Sequence, residues 1–420
     1  MGFLYDLIYI IVFAFYAPVL AVRGKLHRGY PLRFGDIATN DQKRLAEKKN
    51  LWLHAVSVGE VLAIVDIIRR LKTKFPSHRI VLTTVTKTGF ETANKRLDRE
   101  DVILFAPMDL SWVVKKFIRV INPKLYVAAE TEIWPNLYRH LHEAHVPIVQ
   151  VNGRISDKSL RGYARVSGFI KKSLSYIDLC CMQSEQDRKR IIHIGAAPEK
   201  VHVTGNIKFD NLPEGEKLQR GSLGFADNDL ILIAGSTHAN EEEMILDVFN
   251  RLRGAHRNLK LILSPRHVER AADVKALVES KQLKASLLSH SNGRPVREDD
   301  VLLVDRIGVL KDIYSIADVV FIGKTLAVGG GQNMIEPAAF GKATIVGPMT
   351  YNFKDVMRIF LDEEAIIQVS NWQALEAALN ELLADQKKRQ QIGVKAKAVV
   401  ERYKGASSKT IDLIERLIVR

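Results

Sequence analysis

The sequence predicts an α/β protein made of two doubly wound units. Three observations carry this. Short β-rich apolar runs alternate with helix-period segments, the alternation breaks at one polar stretch, and it then restarts. At 420 residues and 47% hydrophobic content, the chain is long enough for more than one packed core. With only 13 Pro and 26 Gly it has little room for disordered or collagenous tracts.

The chain opens with Phe3 to Val22, an apolar run with one charge, Asp6. At 1.5 Å per residue such a run spans roughly 30 Å, the thickness of a bilayer core. No Lys or Arg precedes it, as a secretory signal would require, whereas Arg23, Lys25, Arg28 and Arg33 follow it. We therefore expect residues 1–22 to be a membrane anchor helix that spans a bilayer or lies in its interface. By the positive-inside rule the rest of the chain sits on the cytoplasmic face. Asp6 and Pro18 favour the alternative of a buried helix.

Residues 23–210 form the first predicted domain. Runs at 51–57, 79–84, 102–105, 124–129, 147–152, 177–182 and 200–205 are continuously apolar, as strands buried on both faces are. The segments Glu60 to Phe75 and Glu132 to Glu143 carry 3.6-residue periodicity and fit crossover helices. Residues 211–229, polar and turn-rich, read as a linker. Strands at 230–236, 259–265, 300–305, 318–323 and 342–347 then build a second domain, residues 230–420. Its helical tail from Trp372 onward either caps this domain or sends its last helix back to the first.

The net charge of +14 favours an anionic partner: phospholipid, phosphorylated substrate or nucleic acid. The two cysteines, Cys180 and Cys181, are adjacent, which suits neither a disulfide framework nor zinc. With no HExxH and no Cys/His cluster, no metal is expected.

In open α/β sheets ligands lie beyond the carboxyl ends of strands, so residues just after predicted strands are the candidates. Glu60 in HAVSVGEV opens a helix, where the macrodipole favours an ionised carboxylate able to accept a proton; an ordinary first-turn Glu is the alternative. Glu130 in AETEIWPN follows the next strand, with a capping role as its alternative. Lys208 in NIKFDN is placed to meet a phosphate, or is a surface lysine. In GSTHANEEE, Ser236 and Thr237 stand at a strand-to-helix junction that can bind phosphate, or the hydroxyls and Asn240 cap the helix. SPRH brings Arg266 and His267 to another strand end, suited to an anion or to a structural ion pair.

The densest signal is GKTLAVGGGQNMIEPAAFGK. Glycines 329–331, Gly330 and Gly331 among them, let backbone approach a ligand, and a helix expected near Asn333 offers its amides, with Glu336 inside it. Gly323-Lys324-Thr325 is not a P-loop and GGGQNM is not GxGxxG, so ATPase and dinucleotide readings lose their motif. Residues 153–172 are strongly basic, able to contact anionic headgroups or merely a solvated face.

Together and in this order, HAVSVGEV, ETEIWPN, GNIKFD, GSTH, SPRH and GGGQNMIEPAAFGK behind an apolar N-terminus resemble the bacterial Kdo (3-deoxy-D-manno-oct-2-ulosonic acid) transferases of lipopolysaccharide synthesis. The likeness covers almost the whole chain. It implies the GT-B fold, two Rossmann-like domains facing across a cleft, and metal-independent, cofactor-free transfer of Kdo from CMP-Kdo, with inversion, to an anionic lipid A precursor (lipid IVA). It also implies that Glu60 is the general base, with Glu130 and Lys208 as transition-state stabilisers. Arg266, His267, Gly308, Val309, Leu310, Asn333, Met334, Ile335 and Glu336 are then the CMP site, with Glu336 on the ribose. RIGVLKDIY departs from the expected pattern, Val309 standing where an acid is expected. The rival readings are another GT-B transferase using a nucleoside-diphosphate sugar, and a membrane-tethered nucleic-acid-binding protein. The second is disfavoured by the absence of any RRM, zinc-finger or aromatic-interleaved basic motif, so no nucleic acid partner is expected.

Overall fold

A computed structural model describes residues 2–22, 29–210, 212, 218–290 and 301–418, and divides into two compact units. The first comprises residues 1–211 and 404–420; the second comprises 212–403.

In the first unit, β1 (Lys49–His54), β2 (His78–Thr84), β3 (Val102–Phe105), β4 (Pro123–Ala129), β5 (Ile148–Gly153), β6 (Leu179–Met182) and β7 (Val201–Val203) form one sheet. Its order is β3-β2-β1-β4-β5-β6-β7, and every pairing is parallel. Because helices cover both faces, alternate residues of one strand enter different cores. Trp52, Tyr126 and Phe117 pack on one side, and Leu51, Leu53, Val127 and Ile64 on the other.

In the second unit, β8 (Leu230–Thr237), β9 (Leu259–Pro265), β10 (Ala285–Leu287), β11 (Val301–Leu303), β12 (Val319–Ile322), β13 (Ala343–Val346) and β14 (Ile367–Gln368) are ordered β10-β11-β9-β8-β12-β13-β14, again all parallel. The two short edge strands β10 and β14 have no apolar run long enough to mark them in the sequence.

The domain limits differ from expectation at two places. Residues 218–229 are part of the second unit rather than a linker: Arg220 pairs with Asp318 at 2.8 Å and Leu218 N–H donates to Ser315 Oγ at 3.1 Å. Asn211 and residues 213–217 lie outside the described residues. The last helix, Ala406–Ile418, packs against the helix Val58–Lys74 and buries Ile411 and Ile414 in the first unit's core. Asp210 fastens its start by accepting hydrogen bonds from Gly405 N–H and Ser407 N–H, both at 2.6 Å.

The apolar N-terminal run is helical over Gly2–Val22. Among the described residues, no helix is long and apolar enough to cross a membrane. Asp6 is buried and tied to the first unit, accepting from Ser111 N–H at 3.0 Å and Asn136 Nδ2 at 2.7 Å, while Tyr5 OH donates to Asp109 at 2.8 Å. The lone charge in the run therefore docks the helix. Arg33, expected among the flanking basic residues, is buried with its Nε donating to Ala106 O, and Arg23, Lys25 and Arg28 lie outside the described residues.

Candidate active site

The first unit's crossovers run from β1 towards β2 in one direction and from β4 towards β5 in the other, so the sheet's switch point lies between the carboxyl ends of β1 and β4. Glu60 follows β1 and Glu130 follows β4. The helix carrying Glu60 is Val58–Lys74, and Ser57 is its extended N-cap residue. Glu60 folds back onto that end, accepting from Val56 N–H at 2.7 Å and from Ser57 Oγ at 3.0 Å. It thus does the work of a first-turn cap, and at the same time is held at the switch point. Burial pushes its carboxyl pKa up, and the nearby Glu130 charge adds to the rise, against those two hydrogen bonds.

Glu130 has φ +55, a left-handed turn forced by bonds on both sides: its N–H donates to Val151 O and its carbonyl accepts from Gln150 Nε2, each at 2.9 Å. Its carboxylate pairs with Arg154 Nε at 3.3 Å, just past β5. Lys208 lies on the turn Ile207–Phe209, which packs against the Glu60 helix and is tied to β5 through Ile207 N–H donating to Asn152 Oδ1 at 3.2 Å. The first unit thus gathers Glu60, Glu130 and Arg154, with the Lys208 turn bound to the same two elements.

Glu132, which stands beside Glu130 after the same strand, carries no role in the sequence reading. It is half-buried, has no ion-pair partner among the described residues, and lies within electrostatic reach of Glu60 and Glu130. Burial, then those two charges, push its carboxyl up to about 7, partly offset by the Trp134 indole. The spacing Glu-Thr-Glu after a strand was its only trace in the sequence.

The second unit repeats the topology, with its switch point between β8 and β12. Ser236, at φ +56, and Thr237 end β8, and Arg266 and His267 follow β9, with Arg266 N–H donating to Thr237 O at 2.9 Å. Thr237 offers no hydroxyl to a ligand: it is fully buried, with its hydroxyl directed at Ser264 O. Asn240 does not cap the following helix. Glu241, itself fully buried, accepts from His238 N–H at 3.0 Å, and its carboxylate also takes the N–H groups of Lys324, Thr325 and Leu326 at 2.7, 2.9 and 3.0 Å.

The helix expected at Asn333 is the short Ile335–Ala339, and its first amide is taken by Asn333 Oδ1 at 3.1 Å. Asn333 Nδ2 donates to Glu336 at 3.1 Å, and Arg266 and Lys311 are close enough to influence that carboxylate. Burial raises the Glu336 pKa against these partners. Met334 and Ile335 bury their side chains completely, leaving only backbone for a ligand, while Gly308 is exposed and Val309 and Leu310 half-exposed beside Lys311. Gly330 and Gly331 serve their own loop. They have φ +128 and +82, and a Cβ would meet Asn352 Nδ2 at 2.7 Å or the Thr350 backbone at 3.3 Å. Among the described residues no group of His, Cys, Asp or Glu is set to hold a metal ion.

Two parallel α/β units, each with charged and polar residues at its switch point, make a doubly wound two-unit scaffold suited to nucleotide-type ligands. The family described as 3-deoxy-D-manno-octulosonic-acid transferase (kdotransferase) matches residues 28–211, and glycosyl transferases group 1 matches residues 243–399. The 3-deoxy-D-manno-octulosonic acid transferase of Haemophilus influenzae is 33% identical over 376 residues, 89% of this chain and 88% of that protein. That of Chlamydia trachomatis serovar A is 27% identical over 99% of this chain and 97% of its own length. A crystal structure of UDP-N-acetylglucosamine 2-epimerase, 12% identical with a TM-score of 0.59, covers 89% of this chain and shares its fold. The chain belongs to the 3-deoxy-D-manno-octulosonic acid transferase family, and is a glycosyltransferase.

Proposed function

We propose that this protein transfers Kdo from CMP-Kdo to a hydroxyl of an anionic lipid A precursor, lipid IVA, with inversion and with Glu60 as general base. The observation that carries the reading is the Glu60 carboxylate, fixed by Val56 N–H and Ser57 Oγ at the switch point of β1 and β4. The acceptor oxygen attacks the anomeric carbon, the bond from that carbon to the phosphate oxygen breaks with its electron pair leaving on CMP, and the acceptor proton passes to Glu60. A carboxyl pKa raised by burial makes Glu60 a better base than an exposed Glu, and a positioned base contributes about 10²–10⁴ in rate. Lys208 and Glu130 stabilise the charges that develop, and Arg266, the backbone of residues 308–310 and 333–335, and Glu336 hold the nucleotide.

The N-terminal helix supports an interfacial rather than a spanning placement on the inner membrane. One side docks through Tyr5, Asp6, Tyr9 and Phe13; the other exposes Leu4, Ile8, Ile11, Val12 and Phe15, the last 81% accessible. Tyr5 stacks on Phe169 at 5.4 Å, which brings the helix Ser167–Leu174, bearing Lys171 and Lys172, against the N-terminal helix. Apolar and cationic groups side by side suit an anionic lipid surface and an anionic lipid acceptor.

The test is transfer itself. The protein is incubated with enzymatically generated CMP-Kdo and tetra-acylated lipid A precursor, and the product mass is read. Addition of one or more Kdo residues is expected, and E60A should lose at least about 100-fold in rate while still binding CMP. Unchanged turnover in E60A would remove Glu60 from the mechanism.

A further inference from the structure

The switch point of the second unit holds a cation that the proposed donor site leaves unused. β12 ends at Ile322 beside β8, and Lys324 lies two residues further on, level with Ser236 and Thr237. Its backbone is locked in a left-handed conformation, φ +59, by Glu241, which accepts its N–H at 2.7 Å, and by Gly331, whose N–H donates to its carbonyl at 2.7 Å. Its side chain runs along the glycine loop, with Cε 3.4 Å from where a Gly330 Cβ would stand. Lys324 is intermediate in exposure as a residue, and its ammonium makes no ion pair among the described residues.

Glu241, the acid bound to the Lys324 backbone, has little left to offer its ammonium. The carboxylate of Glu241 is already occupied by four backbone N–H groups and completely buried. Burial, and after it the nearby Lys324 charge, lower the pKa of His238, which stacks on His267 at 5.7 Å. An ammonium with no carboxylate partner is available to an anion, and a strand-end crevice is where an α/β sheet receives one.

We infer that Lys324 binds the phosphate of the nucleotide donor, as the counter-ion that this end of the β8–β12 crevice lacks. The inference rests on the donor reading given above. Lysine suits this task as a point charge on a long stem, able to follow a phosphate whose ester bond is breaking. Arg266 and the Asn333–Glu336 segment then hold the rest of the nucleotide.

CMP and cytidine separate phosphate from nucleoside recognition, so both are titrated against wild type, K324A and K324R by ligand-observed NMR, with thermal melts checking that each variant folds. K324A is expected to weaken CMP at least tenfold and cytidine less than twofold, and K324R to bind CMP within about threefold of wild type. CMP binding unchanged in K324A, or equal weakening of CMP and cytidine, overturns the inference while leaving the donor reading intact. Wild-type protein that binds no CMP overturns both.

Discussion

Glu132 makes a quantitative claim about the first unit. Its carboxyl is lifted from 4.5 to about 7 by burial and by the charges of Glu60 and Glu130. Below pH 4.5 it is protonated in folded and unfolded chains alike, and it then contributes no penalty. As pH rises, the unfolded chain releases its proton first, and every further pH unit costs the folded state about 1.4 kcal/mol until the folded group also ionises near 7. The accumulated loss is about 3 kcal/mol, present in full above that pH. Glutamine keeps the shape of the protonated acid and cannot ionise, so E132Q should match wild type near pH 4.5 and exceed its stability by up to about 3 kcal/mol at pH 8. Urea unfolding followed by tryptophan fluorescence reads this, because Trp52, Trp112 and Trp134 belong to the first unit and only Trp372 to the second. A stability difference between the two proteins that stays constant from pH 5 to pH 8 would refute the argument.

Two further substitutions test the frame around the site. E241A strips one acceptor from four backbone N–H groups inside the second unit and should cost at least about 3 kcal/mol, read as a lowered unfolding midpoint; a loss below 1 kcal/mol would mean that the loop 324–326 is held by other contacts. The double variant I11E/F15E places charges on the exposed side of the N-terminal helix, so co-sedimentation with phosphatidylglycerol vesicles should fall at least tenfold with little change in the melting curve. Retained sedimentation would show that this surface does not meet lipid.

The sheet architecture was largely legible because its strands are buried on both faces. Continuous apolar runs such as VILF and LKLILSP coincide with β3 and β9. What escaped was set by tertiary contact. The edge strands β10 and β14 are held by one neighbour each, and the choice between the two placements left open for the last helix is made by contacts such as that of Asp210 with Gly405, 195 residues away in sequence. The helix expected at Asn333 starts later because Asn333 spends its side chain capping Ile335. Gly330 and Gly331 looked like openings for a ligand, yet Thr350 and Asn352 stand against them, which no local pattern announces.

Carboxylates show most clearly where sequence reasoning stops. Glu60, Glu130, Glu132 and Glu241 all follow or nearly follow a strand, and residue type and position would give all four the same task. Their partners divide them. Glu241 accepts from four amides, stays buried and fixes a loop, so its carboxylate is not offered to a substrate. Glu130 is paired with Arg154 at 3.3 Å, which ties its carboxylate to the residue just past β5. Glu60 has two short hydrogen bonds against its burial, enough to hold it in place while keeping its basicity raised. Glu132, with no counter-ion among the described residues, retains its proton to about pH 7, and that proton limits the negative charge beside Glu60. Were Glu132 ionised, a sugar acid and an anionic lipid would both have to approach one more negative charge, with no counter-ion to offset it among the described residues. The proton on Glu132 is therefore what reconciles a carboxylate-rich switch point with the anionic substrates proposed for it.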